Sequence, residues 1–471
     1  MIGHPAPEWF VGWNPSHGKS IIAQSKSISK FLLAAFSNPV SKSLLIYWLC
    51  LTISISTVTR NSPGFNFQSQ NLSWFPFQAL FVWGTSLLTP RNCKRPVDIL
   101  LVFLVIFLVI PSISISFNNS LVPANQVNAL SLIYVFLVLA AIRLLDLQFD
   151  GTWRPRRASF LASTFSVYFF YIFFAALSLF LVLKYLQDFR LVNFDQIYSE
   201  RAEIAKRLAS DNLFSVYTLG WFSGILIPIL FLISLYVKKY SLIFLSIFIG
   251  LFTYGITAQK WILASILFTL FLVLVGKYLE MFKYSTQTVV ISFSGLVFSC
   301  ISLSSVANIP NAADLIIRRS LIDPSIMLQY YVKFSLEYPL SWWSDSNVAK
   351  LLGINSQQTV SEIIGDRYFN VPERMFLQRA AEANATAGAI GNSIAQAGTL
   401  GVVLTSIALF FFFRILQDFS FEKNGIFVFV VCGLSAEILM EGALHTLLFS
   451  RGLIVVPIIF LLLPNIGRIR N

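Results

Sequence analysis

Three ionisable side chains in an apolar segment near the carboxyl terminus are the first candidates for chemistry in this sequence. Glu437, Glu441 and His445 recur at intervals of four residues, so one continuous helix would present them on a single face. Charges inside apolar helices are costly and are therefore candidates for function. A carboxylate or an imidazole there could accept a proton, although a buried ion-pair cluster joining helices would leave the same pattern. Arg451 follows within two helical turns as a possible partner.

Arginines in two loops form a second group of candidates. Arg190 and Arg201 lie in one loop, and Arg318 and Arg319 directly follow the apolar Leu315–Ile317 in another. Arginine stays charged and binds phosphate through two parallel hydrogen bonds. A lipid-linked pyrophosphate would need such side chains at a membrane surface. Arginines that are simply exposed to water in loops, without binding a ligand, would give the same sequence pattern.

The composition assigns the 471-residue chain to the integral membrane proteins. Hydrophobic residues make up 56% of it and charged residues only 12%, about half the charged fraction of soluble domains. The net charge of +12 would suit nucleic acid in a soluble protein. In a membrane protein it reflects orientation and contact with anionic lipid, so we predict no nucleic-acid partner.

Neither the cysteines nor the histidines predict a cofactor site. The four cysteines stand singly, and the other histidines, His4 and His17, lie far along the chain from His445. The sequence also lacks a glycine-rich phosphate loop, a GxSxG nucleophile motif and an HExxH zinc motif. We therefore expect an activity that uses no metal and no other cofactor.

Apolar segments predict an all-α fold with about twelve transmembrane helices. A lipid core satisfies no backbone hydrogen bonds, so segments of this length are expected to cross as helices. They lie near residues 43–59, 73–89, 97–115, 127–145, 158–183, 213–236, 241–258, 261–280, 286–306, 397–415, 425–445 and 452–464.

The basic residues of the short loops predict that both chain ends lie inside. With the amino terminus inside, the inside loops carry clusters of arginine and lysine, as at 91–95 and 154–157. The short outside loops carry only Arg60, Lys260 and Arg451. This asymmetry follows the rule that basic residues flanking transmembrane segments stay inside.

The predicted topology divides the chain into four regions. Residues 1–42 form an inside tail with an amphipathic helix, and residues 43–306 carry helices one to nine with an external loop at 184–212. Residues 307–396 form one large external loop, and residues 397–471 carry the last three helices.

The large loop is expected to carry short helices. The apolar residues of Ser325–Leu336 can lie along one helix face, which predicts a helix resting at the membrane interface. Trp342 and Trp343 would anchor the loop at that interface, with stacking on sugar rings as the alternative.

The segment Glu382–Val402, EANATAGAIGNSIAQAGTLGV, resembles the signature of bacterial O-antigen and oligosaccharide repeat-unit polymerases, the Wzy family. In that family an Asn-x-Thr-x-Gly stretch precedes a glycine-containing helix start and a further Gly-x-x-Gly. The matching positions are Asn384, Thr386, Gly388, Gly391, Gly398 and Gly401.

Two other segments resemble the same family. In RRSLIDPSIMLQYYVKF the similarity lies in a pattern of arginine, proline and tyrosine, carried by Arg318, Arg319, Pro324, Tyr330 and Tyr331. In FDQIYSERAE it is centred on Tyr198 and Arg201. The arrangement of apolar segments around one very large outside loop is similar as well.

The resemblance implies a metal-independent glycosyltransferase of the membrane-embedded C type (GT-C). It would lie in the bacterial inner membrane with its active site, including the large loop, facing the periplasm. It would transfer a growing glycan from undecaprenyl pyrophosphate onto an incoming lipid-linked repeat unit. Membrane lipid would surround it, and a chain-length regulator and a flippase would be possible partners.

The residues and the resemblance together predict the members of the site. The catalytic group would stabilise the pyrophosphate leaving group and accept the acceptor's proton, and consists of Arg201, Arg318, Arg319, Glu441 and His445. The substrate-binding group consists of Arg190, Tyr198, Lys260, Tyr330, Tyr331, Glu382, Asn384 and Arg451. Although far apart in sequence, Arg201, Arg318 and Arg319 are expected to converge on one anionic site.

Other functions remain open from the sequence. The related O-antigen ligases carry a histidine in the large loop, whereas residues 307–396 contain none. A lipid-linked oligosaccharide flippase would place cations in a central cavity and show repeats between its halves, neither of which is visible here. A scaffold subunit with docking loops is a third alternative. The preferred prediction is the repeat-unit polymerase.

Overall fold

The computed structural model describes residues 38–57, 61–62, 65–66, 74–119, 125–149, 164–190, 213–306, 314–345, 359–368, 387–420 and 424–462. The amphipathic helix predicted within residues 1–42 lies outside these residues. So do most of the loop at 184–212 and the motif residues Glu382 and Asn384.

The described residues form helices joined by short connections, together with one two-residue β-ladder. Helices α1 to α5 are Pro39–Thr57, Phe75–Leu88, Pro96–Asn118, Asn125–Phe149 and Thr164–Tyr185. Helix α6 comprises Leu213–Trp221, Phe222–Leu226 and Ile227–Val237, and α7 to α10 are Tyr240–Thr257, Trp261–Met281, Thr286–Val306 and Asp314–Ile322. Helices α11 to α16 are Asp323–Glu337, Val360–Tyr368, Gly388–Phe419, Gly425–Ile438, Leu444–Phe449 and Val455–Leu462. The strands Asn61–Ser62 and Phe65–Asn66 pair antiparallel.

Within the described ranges, nine helices are long and apolar enough to cross a membrane: α1, α3 to α9, and α13. This confirms the prediction of a helical, multi-pass membrane protein. The other three predicted spans form shorter helices, with 14 residues in α2, 14 in α14 and eight in α16. A full crossing takes about 20 helical residues, so the count of twelve stays a prediction.

Two of the spanning helices contain a wider π-helical turn just before a proline. The turn Val105–Val109 precedes Pro111 in α3, and Phe222–Leu226 precedes Pro228 in α6. Proline has no N–H and its ring crowds the carbonyl four residues earlier. That carbonyl lies inside the π-turn in both helices, so the local widening relieves the clash without ending the helix.

Helix α3 lies at the centre of the bundle. Every residue from Pro96 to Ser116 is buried, and its mean hydropathy of 2.9 is higher than that of the other spanning helices described. Phe103 and Phe107 meet Phe293 of α9 edge to face. A helix that is apolar on all sides lies either in lipid or among other helices, and here α4, α13 and α14 pack against α3.

The helix ends meet in two groups at opposite ends of the bundle. At what we call the basic end, Arg95 before α3 and Arg143 of α4 both bond the buried Asp146. At what we call the Arg451 end, Arg451 bonds Gln259 in the short connection between α7 and α8. Successive loops of the chain therefore lie at alternate ends of the bundle, as expected when consecutive helices are antiparallel.

The helix predicted at the membrane interface lies inside the bundle instead. Helix α11 buries Ile326, Leu328 and Tyr331, and the Ser325 hydroxyl donates to the Leu108 carbonyl in the middle of α3. The interfacial prediction was wrong because α4 and α13, which are distant in sequence, cover the apolar face that would have met lipid.

The single helix face predicted for Glu437, Glu441 and His445 is also wrong. Helix α14 ends at Ile438, and His445 belongs to the separate helix α15. The cause is a competing hydrogen bond, because the Leu439 carbonyl accepts from the Ala389 N–H at the start of α13.

Helix α13 begins nine residues before the apolar segment predicted at 397–415. Its first part runs from Gly388 to a break at Ala397 and Gly398, where the backbone leaves helical geometry. The second part then continues to Phe419. The boundary predicted at residue 396 between loop and membrane therefore falls at the break in this helix.

Candidate functional site

A charged group lies at the Arg451 end, where α14 stops. Arg451 Nη2 is 3.6 Å from Glu441 Oε2, and each side chain is 24% exposed. Glu437 lies about one turn earlier, is buried, and experiences the charges of both Glu441 and Arg451. Among the described residues, Glu437 Oε2 has no hydrogen-bond partner. Glu441 therefore pairs with the Arg451 guanidinium, and the buried Glu437 lies within electrostatic range of both. Arg451 is the partner that the sequence had left open.

Glycines of α6 let the loop between α15 and α16, residues 450–454 and here called the Arg451 loop, lie directly against that helix. A Cβ atom at Gly220 or Gly224 would lie 1.9 or 2.4 Å from a carbonyl oxygen of the loop, so neither position can carry a side chain without movement. Trp221 Nε1 donates to the Phe449 carbonyl at 2.6 Å. This close docking fixes the backbone that presents Arg451.

Uncharged side chains complete the surroundings of Arg451. Its Nη1 donates to Gln259 Oε1 at 2.9 Å and lies 3.5 Å from Ser223 Oγ. Gln259 directly precedes Lys260, the predicted substrate-binding residue at the N-cap of α8. The sequence pattern did not single out Gln259, although its place beside Lys260 in the short outside connection was a usable signal.

His445, the second residue of α15, experiences the charge of Asp345. Burial lowers the pKa of the His445 imidazole below its usual value, and the negative charge of Asp345 opposes this effect. The lowered pKa favours the neutral imidazole at neutral pH, the form that can accept a proton. Asp345 was not predicted as a site residue, because nothing in its local sequence indicates that it lies near α15.

A strained turn holds Asp345 in place. Asp345 Oδ1 accepts from Gln396 Nε2 at 2.8 Å, and Oδ2 accepts from the Val360 N–H at 3.0 Å. Gln396 Oε1 accepts in turn from the Trp343 N–H at 2.6 Å. Trp342 and Trp343 have φ angles of 49° and 58°, a left-handed conformation that is unfavourable for bulky residues. The hydrogen bonds to α12 and α13 hold the turn in this conformation.

Arg318 lies within helix α10 and approaches Asp323 at the start of α11. Their Nη1 and Oδ2 atoms are 3.9 Å apart. The π-helical geometry of α10 aligns residues five positions apart, which explains why this pair meets. Arg319 is its neighbour in α10, but its side chain lies outside the described part of the structure.

The two predicted substrate-binding tyrosines of α11 are packed inside the protein. Tyr330 is 5% exposed, and its ring centroid lies 5.4 Å from that of Tyr368 in α12. Tyr331 is 1% exposed, and its hydroxyl bonds the side chains of Asn392 and Ser361. These contacts join α11 to α12 and α13, so both rings position the elements around Asp345.

The remaining predicted residues are only partly described. Arg190 is exposed, and its N–H donates to the Gly255 carbonyl near the end of α7, at the Arg451 end. Tyr198, Arg201, Glu382 and Asn384 lie outside the described residues. The structure thus brings Glu441 and Arg451 into contact, while the convergence of Arg201 with Arg318 and Arg319 stays a prediction.

The glycines of the resembling segment allow close approach of backbone. Gly388 has a φ of 66°, and a Cβ there would lie 2.8 Å from the Leu439 carbonyl oxygen. Gly398 has a φ of 57° at the break in α13. A Cβ at Gly401 would lie 2.0 Å from a backbone oxygen on the other side of that break. The described contacts of these glycines are therefore with the protein's own chain.

Comparison with known proteins reveals no relative. No family model matches the chain, no curated protein matches it, and no solved structure matches it.

Proposed function

We propose that the protein is a metal-independent glycosyltransferase that polymerises lipid-linked oligosaccharide repeat units. The observation that carries this proposal is the ion pair of Arg451 with Glu441, beside the buried Glu437, where apolar helices end. His445 lies on the short helix between these carboxyl groups and Arg451 in the chain. A reaction on a lipid-linked substrate has to take place near the membrane surface, where apolar helices end, because the lipid part of the substrate stays in the membrane. The resemblance of Glu382–Val402 to repeat-unit polymerases supports the same function.

The reaction requires an anion-binding group and a proton acceptor. The acceptor sugar's hydroxyl attacks the anomeric carbon of the growing glycan, and the bond from that carbon to undecaprenyl pyrophosphate breaks. Arg318, with Arg201 and Arg319, would stabilise the charge that develops on the leaving pyrophosphate. His445 would accept the hydroxyl proton as the neutral imidazole. Glu441 would hold Arg451 against the substrate.

The rule that basic loops stay on the inside predicts on which side of the membrane the reaction takes place. With the basic end inside, the Arg451 end faces the periplasm of a bacterial inner membrane. The helices would form a GT-C-type bundle whose substrates, undecaprenyl-pyrophosphate-linked oligosaccharides, arrive within the outer leaflet. A flippase that delivers them and a chain-length regulator are the partners we propose for this reaction.

The proposal is tested by extending lipid-linked repeat units with purified protein. We expect Glu441→Gln to lower the extension rate by about 10²-fold or more, because Arg451 loses its charged partner beside the substrate. Glu280→Gln is the matched control, since Glu280 is an exposed carboxylate at the basic end. Cells that lack the protein should accumulate glycans of a single repeat.

Two results would contradict the proposal. Full-length glycans in the deletion strain would exclude a polymerase. A normal extension rate of the Glu441→Gln variant would show that the Arg451–Glu441 pair takes no part in the reaction. A lower protein abundance with a normal rate per molecule would show that this pair only stabilises the fold.

A further inference from the structure

We propose that a cavity at the basic end binds the phosphate group of an anionic phospholipid. The cavity has a volume of about 430 Å³, within the usual size range of small-molecule sites. Arg91, Arg95 and Arg143 line it together with Asp98 of α3 and uncharged residues of α2 and of the segments before α1 and α3. It lies at the opposite end of the bundle from Arg451 and does not depend on the proposed transferase activity.

The charges around the cavity leave an excess of positive charge. Arg95 bonds Asp98 at 2.9 Å and Asp146 at 2.8 Å, and Arg143 bonds Asp146 at 2.9 Å. Three guanidinium groups thus face two carboxylates. Among the described residues, no carboxylate forms an ion pair with Arg91, whose side chain is exposed. A phosphate group would supply the missing negative charge and could bond a guanidinium through two oxygens.

The arginine-bearing loop is held rigidly before any ligand binds. The Thr286 N–H donates to the Arg91 carbonyl at 3.0 Å, and the Thr286 hydroxyl donates to the Pro90 carbonyl at 2.6 Å. The Cys93 N–H donates to the Tyr284 carbonyl at 2.8 Å. These bonds join the loop before α3 to the start of α9. A preformed site loses less conformational freedom on binding, which favours affinity.

The wall of the cavity favours a lipid over a free phosphate ion. Leu87 of α2 lines the cavity and is 53% exposed, as expected of a side chain that meets acyl chains. Ser86, the next residue along α2, also lines the cavity and bonds Ser41 of α1. The opening of the cavity therefore offers an apolar side chain next to a polar one. Basic pockets between transmembrane helices are typical sites for anionic lipid head groups.

The test compares two arginine-loop variants of the full-length protein. Lipid-depleted protein is titrated with phosphatidylglycerol, with phosphatidylcholine and with inorganic phosphate, and bound molecules are counted by native mass spectrometry. We expect tighter binding of phosphatidylglycerol than of phosphatidylcholine, and Arg91→Gln should weaken the former about fivefold. Lys94→Gln is the matched control, because Lys94 is an exposed cation of the same loop that does not line the cavity.

Each alternative outcome would overturn the proposal. Equal weakening by Arg91→Gln and Lys94→Gln would show general attraction to the charged loop rather than a site. Displacement of phosphatidylglycerol by inorganic phosphate at equal concentration would show a free-anion site instead of a lipid site. Unfolding temperatures of both variants, measured alongside, would show whether any loss comes from a damaged fold.

Discussion

Arg451 and His445 have different electrostatic surroundings although they lie only six residues apart. The guanidinium of Arg451 has a carboxylate, an amide and a hydroxyl around it, so its position is fixed. The imidazole of His445 is half-buried, and the charge that acts on it is that of Asp345, on a chain segment distant in sequence. The first arrangement suits binding of an anion, and the second suits transfer of a proton.

The pH dependence of glycan extension should therefore report His445. Burial lowers its pKa in the folded protein, so neutral imidazole persists below the ordinary value of 6.5 and is lost only at more acid pH. The unfolded chain binds the proton first as pH falls below 6.5, so the same group also destabilises the fold in that window. Extension rates measured between about pH 5 and 8 should fall on the acid side with a midpoint below 6.5.

Variants distinguish His445 from other groups that titrate in this range. Asp345→Asn removes the charge that raises the pKa, so the acid midpoint should move to still lower pH. His445→Gln should lower the maximal rate about 10²–10⁴-fold while the KM for the lipid-linked acceptor changes little. If the extension rate fell in the same way at acid pH in the parent protein and in both variants, His445 would be excluded as the proton acceptor.

At the scale of elements, α6 and the Arg451 loop form one unit because two glycines remove side chains from their contact. We expect Gly224→Ala to destabilise the protein by about 1–3 kcal/mol, since its Cβ would lie 2.4 Å from the Arg451 carbonyl oxygen. The extension rate should fall as well, because the loop must shift. Thermal unfolding in detergent and the extension assay measure the two effects.

Gly84→Ala provides the control for this substitution. A Cβ at Gly84 in α2 meets no atom within 4 Å, so alanine should be neutral or stabilising by up to about 1 kcal/mol through its helix propensity. Equal unfolding temperatures for the Gly224→Ala and Gly84→Ala proteins would mean that the loop does not need the close contact with α6.

The elements also show which features a sequence pattern can predict. Each of the twelve predicted apolar segments contains a helix in the described residues, because a long apolar segment has to be buried in lipid or protein. The end of α14 escaped prediction, since the hydrogen bond that interrupts it comes from Ala389, fifty residues earlier in the chain. The electrostatic influence of Asp345 on His445 escaped prediction as well, because the two residues are a hundred positions apart in the chain. Arg451 was predicted as a partner of the carboxylates because it follows them closely in sequence.

At the scale of the whole molecule, the two ends of the bundle carry different chemistry. The basic end joins arginines to the buried Asp146 and presents a cavity, whereas the Arg451 end presents His445 and the ion pair of Arg451 with Glu441. Anionic lipid head groups and basic loops attract each other on the inside of a bacterial membrane. The proposed reaction needs its substrate on the outside. One orientation satisfies both requirements.

Cysteine labelling tests that orientation directly. Ser344→Cys lies beside the exposed Trp342 at the Arg451 end, and Lys94→Cys lies at the basic end. Cys93, Cys300 and Cys432 are buried, so only the half-buried Cys50 needs replacement in the background protein. An impermeant thiol reagent should label Ser344→Cys in intact spheroplasts and Lys94→Cys only after lysis. The reverse pattern would place the Arg451 end in the cytoplasm. Lipid-linked repeat units that have already crossed the membrane could not reach it there, so the polymerase proposal would fail together with the orientation.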